Sequence, residues 1–309
     1  MSSHRLARAV RWPLVGALLF ISIGGETRAA QDWRTYATVQ NPNKFSIDWR
    51  AFYAMATALT DAARQTLPNA LDLAYGTDPK QRLDLYFPIQ TARQAPVFLF
   101  IHGGGFREGD RRQYGFVATP LAAQGIITAV MSYRLVPNEY PSQVADVELA
   151  VAWLAKNISA QGGDPRRIYV GGHSAGAILS ALLGVRTDWQ AARGLPPDVI
   201  KGIVPVSGPY DLRGIAGFVA DFIPADGPDR ATASPILRIA RTPPAVVAYG
   251  EKEPYADGSA AFVKALVEHG GKATLVPLQG MSHDQTALTL SDGKSPLTTA
   301  ILSLVKTAP

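Results

Sequence analysis

Ser174 is the residue of this 309-residue chain best placed to do chemistry. It lies in Gly172-His-Ser174-Ala-Gly176, between the apolar run that starts at Ile168 and the Ala- and Leu-rich stretch that ends at Gly184. The first run reads as a buried strand and the second as a buried helix, with no loop between them, so the turn must fall on the serine. A side chain on so sharp a bend projects outward. The flanking glycines admit a close approach of neighbouring backbone that any Cβ would block. The Ala175 N–H and the positive end of the helix dipole then face the point where negative charge develops when a hydroxyl attacks a carbonyl. The implied chemistry is acyl transfer with Ser174 as nucleophile. A Gly-x-Ser-x-Gly string arises by chance in about one chain in ten of this length, so its setting between strand and helix carries the weight.

A second glycine cluster supports the same chemistry. The continuous apolar run Ala95 to Ile101 reads as a strand covered on both faces, and it ends in His102-Gly-Gly-Gly105-Phe106. Successive glycines at the C-terminal end of a strand let backbone N–H groups point at an oxyanion. Gly104 and Gly105, with Ala175, are therefore the candidate donors of an oxyanion hole, and His102 shapes the loop.

The acid and base must come later in the chain, because the order behind such an elbow is serine, acid, histidine. His283, after the last predicted strand (Ala273 to Pro277) and on the loop opened by Gly280, is the candidate general base. His269 ends a predicted helix from Ser259, where it complements the dipole, and His173 adjoins the serine with its side chain turned away. Two carboxylates follow the predicted strand Pro244 to Gly250: Glu253 and Asp257. Pro254 keeps Glu253 out of a helix and on an exposed loop, whereas Asp257 has a local reason to exist as the cap of the next helix. Glu253 is the acid on this reading and Asp257 the alternative.

The elements that must hold these residues alternate along the chain. A helix is predicted near Asp48 to Gln65, with Phe52, Met55, Leu59 and Ala62 or Ala63 on one side. Leu71 to Pro88 places alternating runs on either side of a Gly76/Asp78/Pro79 turn, a β-hairpin with one face buried and one wet. Ile126 to Tyr133 and Ile200 to Val206 read as strands, and Tyr140-Pro-Ser142 opens a helix with Val144, Val147, Val151 and Leu154 inward. Such alternation predicts an α/β fold with a mostly parallel, doubly wound sheet. The Gly-, Pro- and Asp-rich stretch 207–244 reads as a small cap over the site, the alternative being a surface excursion that meets no substrate.

Composition sets the outer bounds. With 47% hydrophobic and 18% charged residues, the chain supports one large core, hence a single domain over 31–309. Residues 1–30 differ in kind: Arg5, Arg8 and Arg11 precede an apolar run from Trp12 to Ile23, then small residues up to Ala29 and Ala30, the pattern of a secretory signal peptide. An uncleaved anchor is the alternative, although the run is shorter than the ~20 residues that span a bilayer. Cleavage after Ala29 would remove four arginines and one glutamate and take the formal charge from +5 to +2. The basicity thus belongs partly to the leader and calls for neither nucleic acid nor an anionic membrane as partner. A chain without cysteine has no disulfide, thiolate nucleophile or Cys-bound metal, and the chemistry above needs no metal or cofactor. The expected setting is a bacterial periplasm or the exterior, with no stable membrane insertion after cleavage.

His102-Gly-Gly-Gly105-Phe106, Tyr133-Arg134-Leu135 with Pro137 and Tyr140-Pro141, Asp146, Gly172-His-Ser174-Ala-Gly176, Gly250-x-x-Glu253 and His283 stand in an order that resembles the α/β-hydrolase superfamily, within it the esterases and lipases similar to hormone-sensitive lipase. Tyr75-Gly76 and Leu83 to Pro88 look more like its short-capped carboxylesterase, feruloyl esterase and kynurenine formamidase-like branch. The resemblance covers roughly residues 70 to 305. It implies an α/β-hydrolase fold and a serine hydrolase of small carboxylic esters with the triad Ser174, Glu253 and His283, or an arylformamidase on the same machinery; a catalytically silent binding protein of this fold is the rival from another class. One departure is visible, since Glu253 stands where the family usually carries Asp.

Overall fold

The computed structural model describes residues 32–36, 47–90, 93–223 and 229–307. The predicted leader, residues 1–30, lies outside the described residues, and residues 31–309 form one compact unit. Eight strands make one sheet: β1 (Asn69–Ala74), β2 (Arg82–Tyr86), β3 (Ala95–Ile101), β4 (Ile127–Met131), β5 (Gly163–His173), β6 (Ile200–Val206), β7 (Ala245–Gly250) and β8 (Ala273–Leu278), in the order β1-β2-β4-β3-β5-β6-β7-β8. The hairpin β1–β2 and the β2–β4 pair are antiparallel; every later pair is parallel. The helices are α1 (Trp49–Thr66), α2 (Ala118–Ala122), α3 (Ser142–Asn157), α4 (Ala175–Val185), α5 (Phe218–Phe222), α6 (Ala256–Glu268), α7 (His283–Leu288) and α8 (Pro296–Thr307).

Side-chain alternation along the strands divides the core into two layers. Val97, Leu99 and Ile101 of β3 and Ile168 and Val170 of β5 face α3, α4 and α6 through Val147, Val151, Ile178, Leu182 and Phe262. Phe98, Phe100 and Tyr169 face the other way, toward α1, α2 and α8 through Phe52, Leu121, Leu297 and Ile301. Covering both faces is what makes continuous apolar runs of the central strands. Every residue of α4 is buried, so this helix carries no polar stripe and can lie only in the middle of the fold.

α1 buries Phe52, Met55, Ala56, Thr60 and Ala63, with Leu59 only partly covered, and Asp48 caps it by accepting from the Ala51 N–H at 3.0 Å. The hairpin differs from its predicted pattern. β2 pairs with β4 on its far edge, so it is an inner strand, and Leu83, Asp84, Leu85 and Tyr86 are all buried. Its apparently solvent-facing residue, Asp84, is instead held by Arg111 Nε at 2.9 Å and by Arg64. Alternation marked a polar residue, and an arginine from elsewhere made its burial tolerable.

Candidate active site

The elbow puts Ser174 in a conformation few side chains adopt. The strand β5 ends at His173, α4 begins at Ala175, and Ser174 between them has φ 57° and ψ −116°. Such a left-handed, non-glycine residue persists only where its surroundings over-determine it, and the surroundings here are glycines. A Cβ on Gly176 would lie 2.1 Å from the Ile101 carbonyl oxygen, and one on Gly172 would lie 2.3 Å from the carbonyl oxygen of Gly176. Backbone therefore closes around the serine from both sides. Ala175 is the first residue of α4, so its N–H is among those with no acceptor inside the helix.

The loop after β3 lies alongside. Gly104 (φ 110°), Gly105 (φ 59°) and Phe106 (φ 64°) all occupy the left-handed half of backbone space, and Gly104 and Gly105 line the same cavity as Ser174. His102 is fully buried between two aromatic rings, 4.4 Å from Tyr133 and 5.8 Å from Tyr114. Its Nδ1 donates to the Gly103 carbonyl at 2.7 Å, and burial pushes its imidazole down to about 4. It is a neutral wedge under the loop, in keeping with the shaping part read from the sequence.

The candidate acid and the candidate base meet across 30 residues of chain. His283 Nδ1 lies 2.7 Å from Glu253 Oε2, with side-chain exposures of 2% and 0%. The second carboxylate oxygen of Glu253 accepts the Gly250 N–H at 2.8 Å. An ionised carboxylate only accepts, so Nδ1 carries the proton and Nε2 keeps its lone pair. Three sequence expectations need correction here. Glu253 is buried, because the turn after β7 folds its side chain back under the loop instead of leaving it exposed. α6 starts three residues earlier than predicted, so Asp257 lies exposed in its first turn and Tyr255 holds the cap position, where no side-chain cap bond forms. His283 opens α7, behind a Ser282/Gln285 capping box, where a loop was predicted.

Behind the base stands a network that the sequence did not disclose. His173 Nε2 donates to the His283 carbonyl at 2.8 Å, Thr286 Oγ1 donates to it at 2.6 Å, and Ser207 Oγ meets that hydroxyl at 2.7 Å. Burial first, and then the nearby His283, hold the His173 imidazole well below its ordinary value. His173 does not line the cavity; its ring lies 4.6 Å from that of His283 and fixes the backbone that carries the candidate base. Tyr36 adds a 2.5 Å bond to Asp284, next in the chain to His283.

Ser174, His283, Gly104 and Gly105 line one cavity of about 570 Å³. Ile215, Ala216 and Phe218 from the 207–244 stretch line it, so that stretch reaches the site. It is tied down by Phe222 stacking on Phe106 at 4.0 Å and by the Tyr140 N–H donating to the Phe222 carbonyl at 2.8 Å. Trp49, Glu108, Tyr210 and Tyr255 also line the cavity. Tyr210 belongs to the predicted cap stretch; sequence reading missed Trp49, Glu108 and Tyr255, although Glu108 stands only three residues beyond Gly105. Among the described residues no group of His, Asp and Glu is arranged to hold a metal ion, and no helix is long and apolar enough to cross a membrane.

Comparison with known proteins bears on the family and the fold. The BD-FAE family model matches residues 83–279. An isoprenylcysteine alpha-carbonyl methylesterase of Arabidopsis thaliana is 30% identical, the match covering 75% of this chain and 61% of that protein. The esterase LipC of Mycobacterium tuberculosis is 31% identical over 70% of this chain and 59% of its own length. A kynurenine formamidase of Salmo salar is 32% identical, over 50% of each chain. The match thus spans about three-fifths of the first two relatives and half of the third. Among solved structures, a hyperthermophilic esterase from Pyrobaculum calidifontis superposes with a TM-score of 0.67 at 22% identity, covering 83% of this chain and 92% of that one. A truncated carbohydrate esterase from gut microbiota also reaches 0.67, at 18% identity, over 77% and 95%. At these identities the likeness is one of fold.

Proposed function

The chain belongs to the BD-FAE family of α/β-hydrolases, and on that premise we propose that it is a serine hydrolase of small carboxylic esters. Ser174 Oγ attacks the ester carbonyl while His283 Nε2 takes its proton and passes it to the leaving alcohol; water then repeats the sequence on the acyl-enzyme. Glu253 holds the imidazole in the productive tautomer and stabilises its cation, and the amides of Gly104, Gly105 and Ala175 bind the oxyanion. The observation that carries this reading is the convergence of a strained Ser174 and a Glu253-held His283 on one cavity. A fluorophosphonate probe should label the protein at Ser174, and Ser174→Ala should abolish labelling and lower turnover by several orders of magnitude. A folded Ser174→Ala protein with near-normal turnover would overturn it, and labelling of the native protein excludes a silent binding role.

The likeness to kynurenine formamidases favours a second reading, hydrolysis of an aryl formamide by the same residues. A panel of short and long p-nitrophenyl esters, feruloyl esters and N-formyl aryl amides separates the two; the apolar cap residues around Phe218 support a preference for short acyl chains. Export with removal of residues 1–29 is part of the proposal, supported by the Arg, apolar and small-residue order of the leader. Intact mass of periplasmic protein tests it, and a full-length mass would refute cleavage.

A further inference from the structure

Of the charged side chains of the cavity that the mechanism does not use, Arg107, Glu108 and Asp211, Glu108 is the one without an ion-pair partner among the described residues. Its neighbours are accounted for: Arg107 pairs with Asp221, Asp211 with Arg213 at 2.7 Å, and Glu253 with His283. Arg107, the cation that lines the same cavity, is turned to Asp221, and among the described residues Glu108 has no ion-pair partner, although its charge reaches the buried Tyr53 and Tyr114 hydroxyls. The carboxyl is half-buried, and loss of water raises it above the ordinary carboxylate range. Its place is specific. The Glu108 N–H donates to the Gly104 carbonyl at 3.1 Å, and its Cγ would lie 3.2 Å from a Cβ on Gly104, so the carboxylate rides on the turn that supplies the oxyanion donors. A negative charge there opposes a developing oxyanion unless something neutralises it. Among the described residues no cation is paired with it. Four aromatic residues, Trp49, Tyr210, Phe218 and Tyr255, line the same cavity, among aliphatic residues such as Ile47 and Ile215. Aromatic faces around a free carboxylate are the surroundings that stabilise an organic cation, through the ring quadrupole and the counter-charge together.

We propose that the cavity selects esters whose non-reacting part carries a positive charge, a quaternary or protonated amine, with Glu108 as its counter-charge and the aromatic wall as its lining. The inference rests on the esterase reading of the site and adds the substrate class. The cation of the substrate supplies the neutralisation that none of the described residues provides, so charge is rewarded in the transition state as well as in binding.

Isosteric ester pairs test it. One pair places the charge on the alcohol, acetylcholine against 3,3-dimethylbutyl acetate; the other places it on the acyl group, the ethyl esters of 4-(trimethylammonio)butyrate and 5,5-dimethylhexanoate. In at least one pair the cationic ester should have the higher kcat/KM by about tenfold. Glu108→Gln should move the two members in opposite directions, lowering the cationic ester about tenfold and raising the neutral one, while Glu108→Asp keeps the native preference. A merely structural part for Glu108 would lower both together. Binding is read separately, by quenching of tryptophan fluorescence with tetramethylammonium in Ser174→Ala, where saturable quenching should disappear with Glu108→Gln. Equal kcat/KM within both pairs, or a preference that survives Glu108→Gln, overturns the proposal. Saturable, Glu108-dependent quenching in a protein that no fluorophosphonate labels would sink the esterase reading and leave the cation site standing.

Discussion

The turn that carries Ser174, the proposed nucleophile, and the start of α7 that carries His283, the proposed base, are held by opposite means. At the elbow, Ser174 is held by steric closure: wholly buried helix residues follow it, and Gly172 and Gly176 are packed so tightly against backbone that a methyl group has no room. At the base, His283 is held by polar bonds from four separate stretches of chain, through Glu253, His173, Thr286 with Ser207, and the Tyr36 to Asp284 contact. Steric closure lacks adjustable parts and sets a backbone; a hydrogen-bond network selects a tautomer and a ring orientation. Acyl transfer needs the first for the atom that attacks and the second for the group that moves a proton.

The largest expected effect breaks the polar side alone. Glu253→Gln leaves the fold nearly isosteric but loses the productive tautomer, so kcat should fall by about ten-thousandfold, as for loss of a triad aspartate. Turnover within tenfold of native, measured on a short p-nitrophenyl ester, would show that Glu253 is not the acid.

Acid should reveal the neutral wedge beneath the oxyanion loop next. His102 sits near 4 in the folded chain against about 6.5 in the unfolded one, so between those values the unfolded state binds more protons. The stability that His102 contributes is complete above pH 6.5 and is lost as pH falls toward 4, by about 3 kcal/mol. Urea denaturation at pH 7 and pH 4.5 checks this, and His102→Gln should flatten part of the difference.

Gly176→Ala breaks the steric side. Its methyl must push the Ile101 carbonyl away, at a cost of about 2 kcal/mol of stability, comparable to overpacking a core. A melting temperature lowered by a few degrees, together with slower fluorophosphonate labelling, is the expected signature. An unchanged melting curve would mean that the elbow has slack.

The smallest effect sharpens the contrast between the two carboxylates. Asp257 is exposed and has no cap bond, so Asp257→Asn should change stability by only a few tenths of a kcal/mol through the helix dipole and leave turnover alone. If this variant loses activity while Glu253→Gln keeps it, the acid has been assigned to the wrong residue.

What could be read from the sequence follows the same division. The elbow, the glycine loop and the apolar strands were legible because each depends on neighbours within a few residues: a glycine beside a serine, an apolar run beside a turn; the order serine, acid, histidine was supplied by the known order behind such an elbow. Sequence alone therefore determined the layered α/β architecture and nominated Ser174, Gly104, Gly105, Ala175, Glu253 and His283. Only the tertiary structure buried Glu253 and Asp84, turned His173 into a support for the base, and gathered Trp49, Glu108, Tyr210 and Tyr255 around one cavity. Burial of a charge is tolerable only when its partner arrives. Arg111 is 27 residues from Asp84 and His283 is 30 from Glu253, and no local pattern of residue types encodes such a meeting.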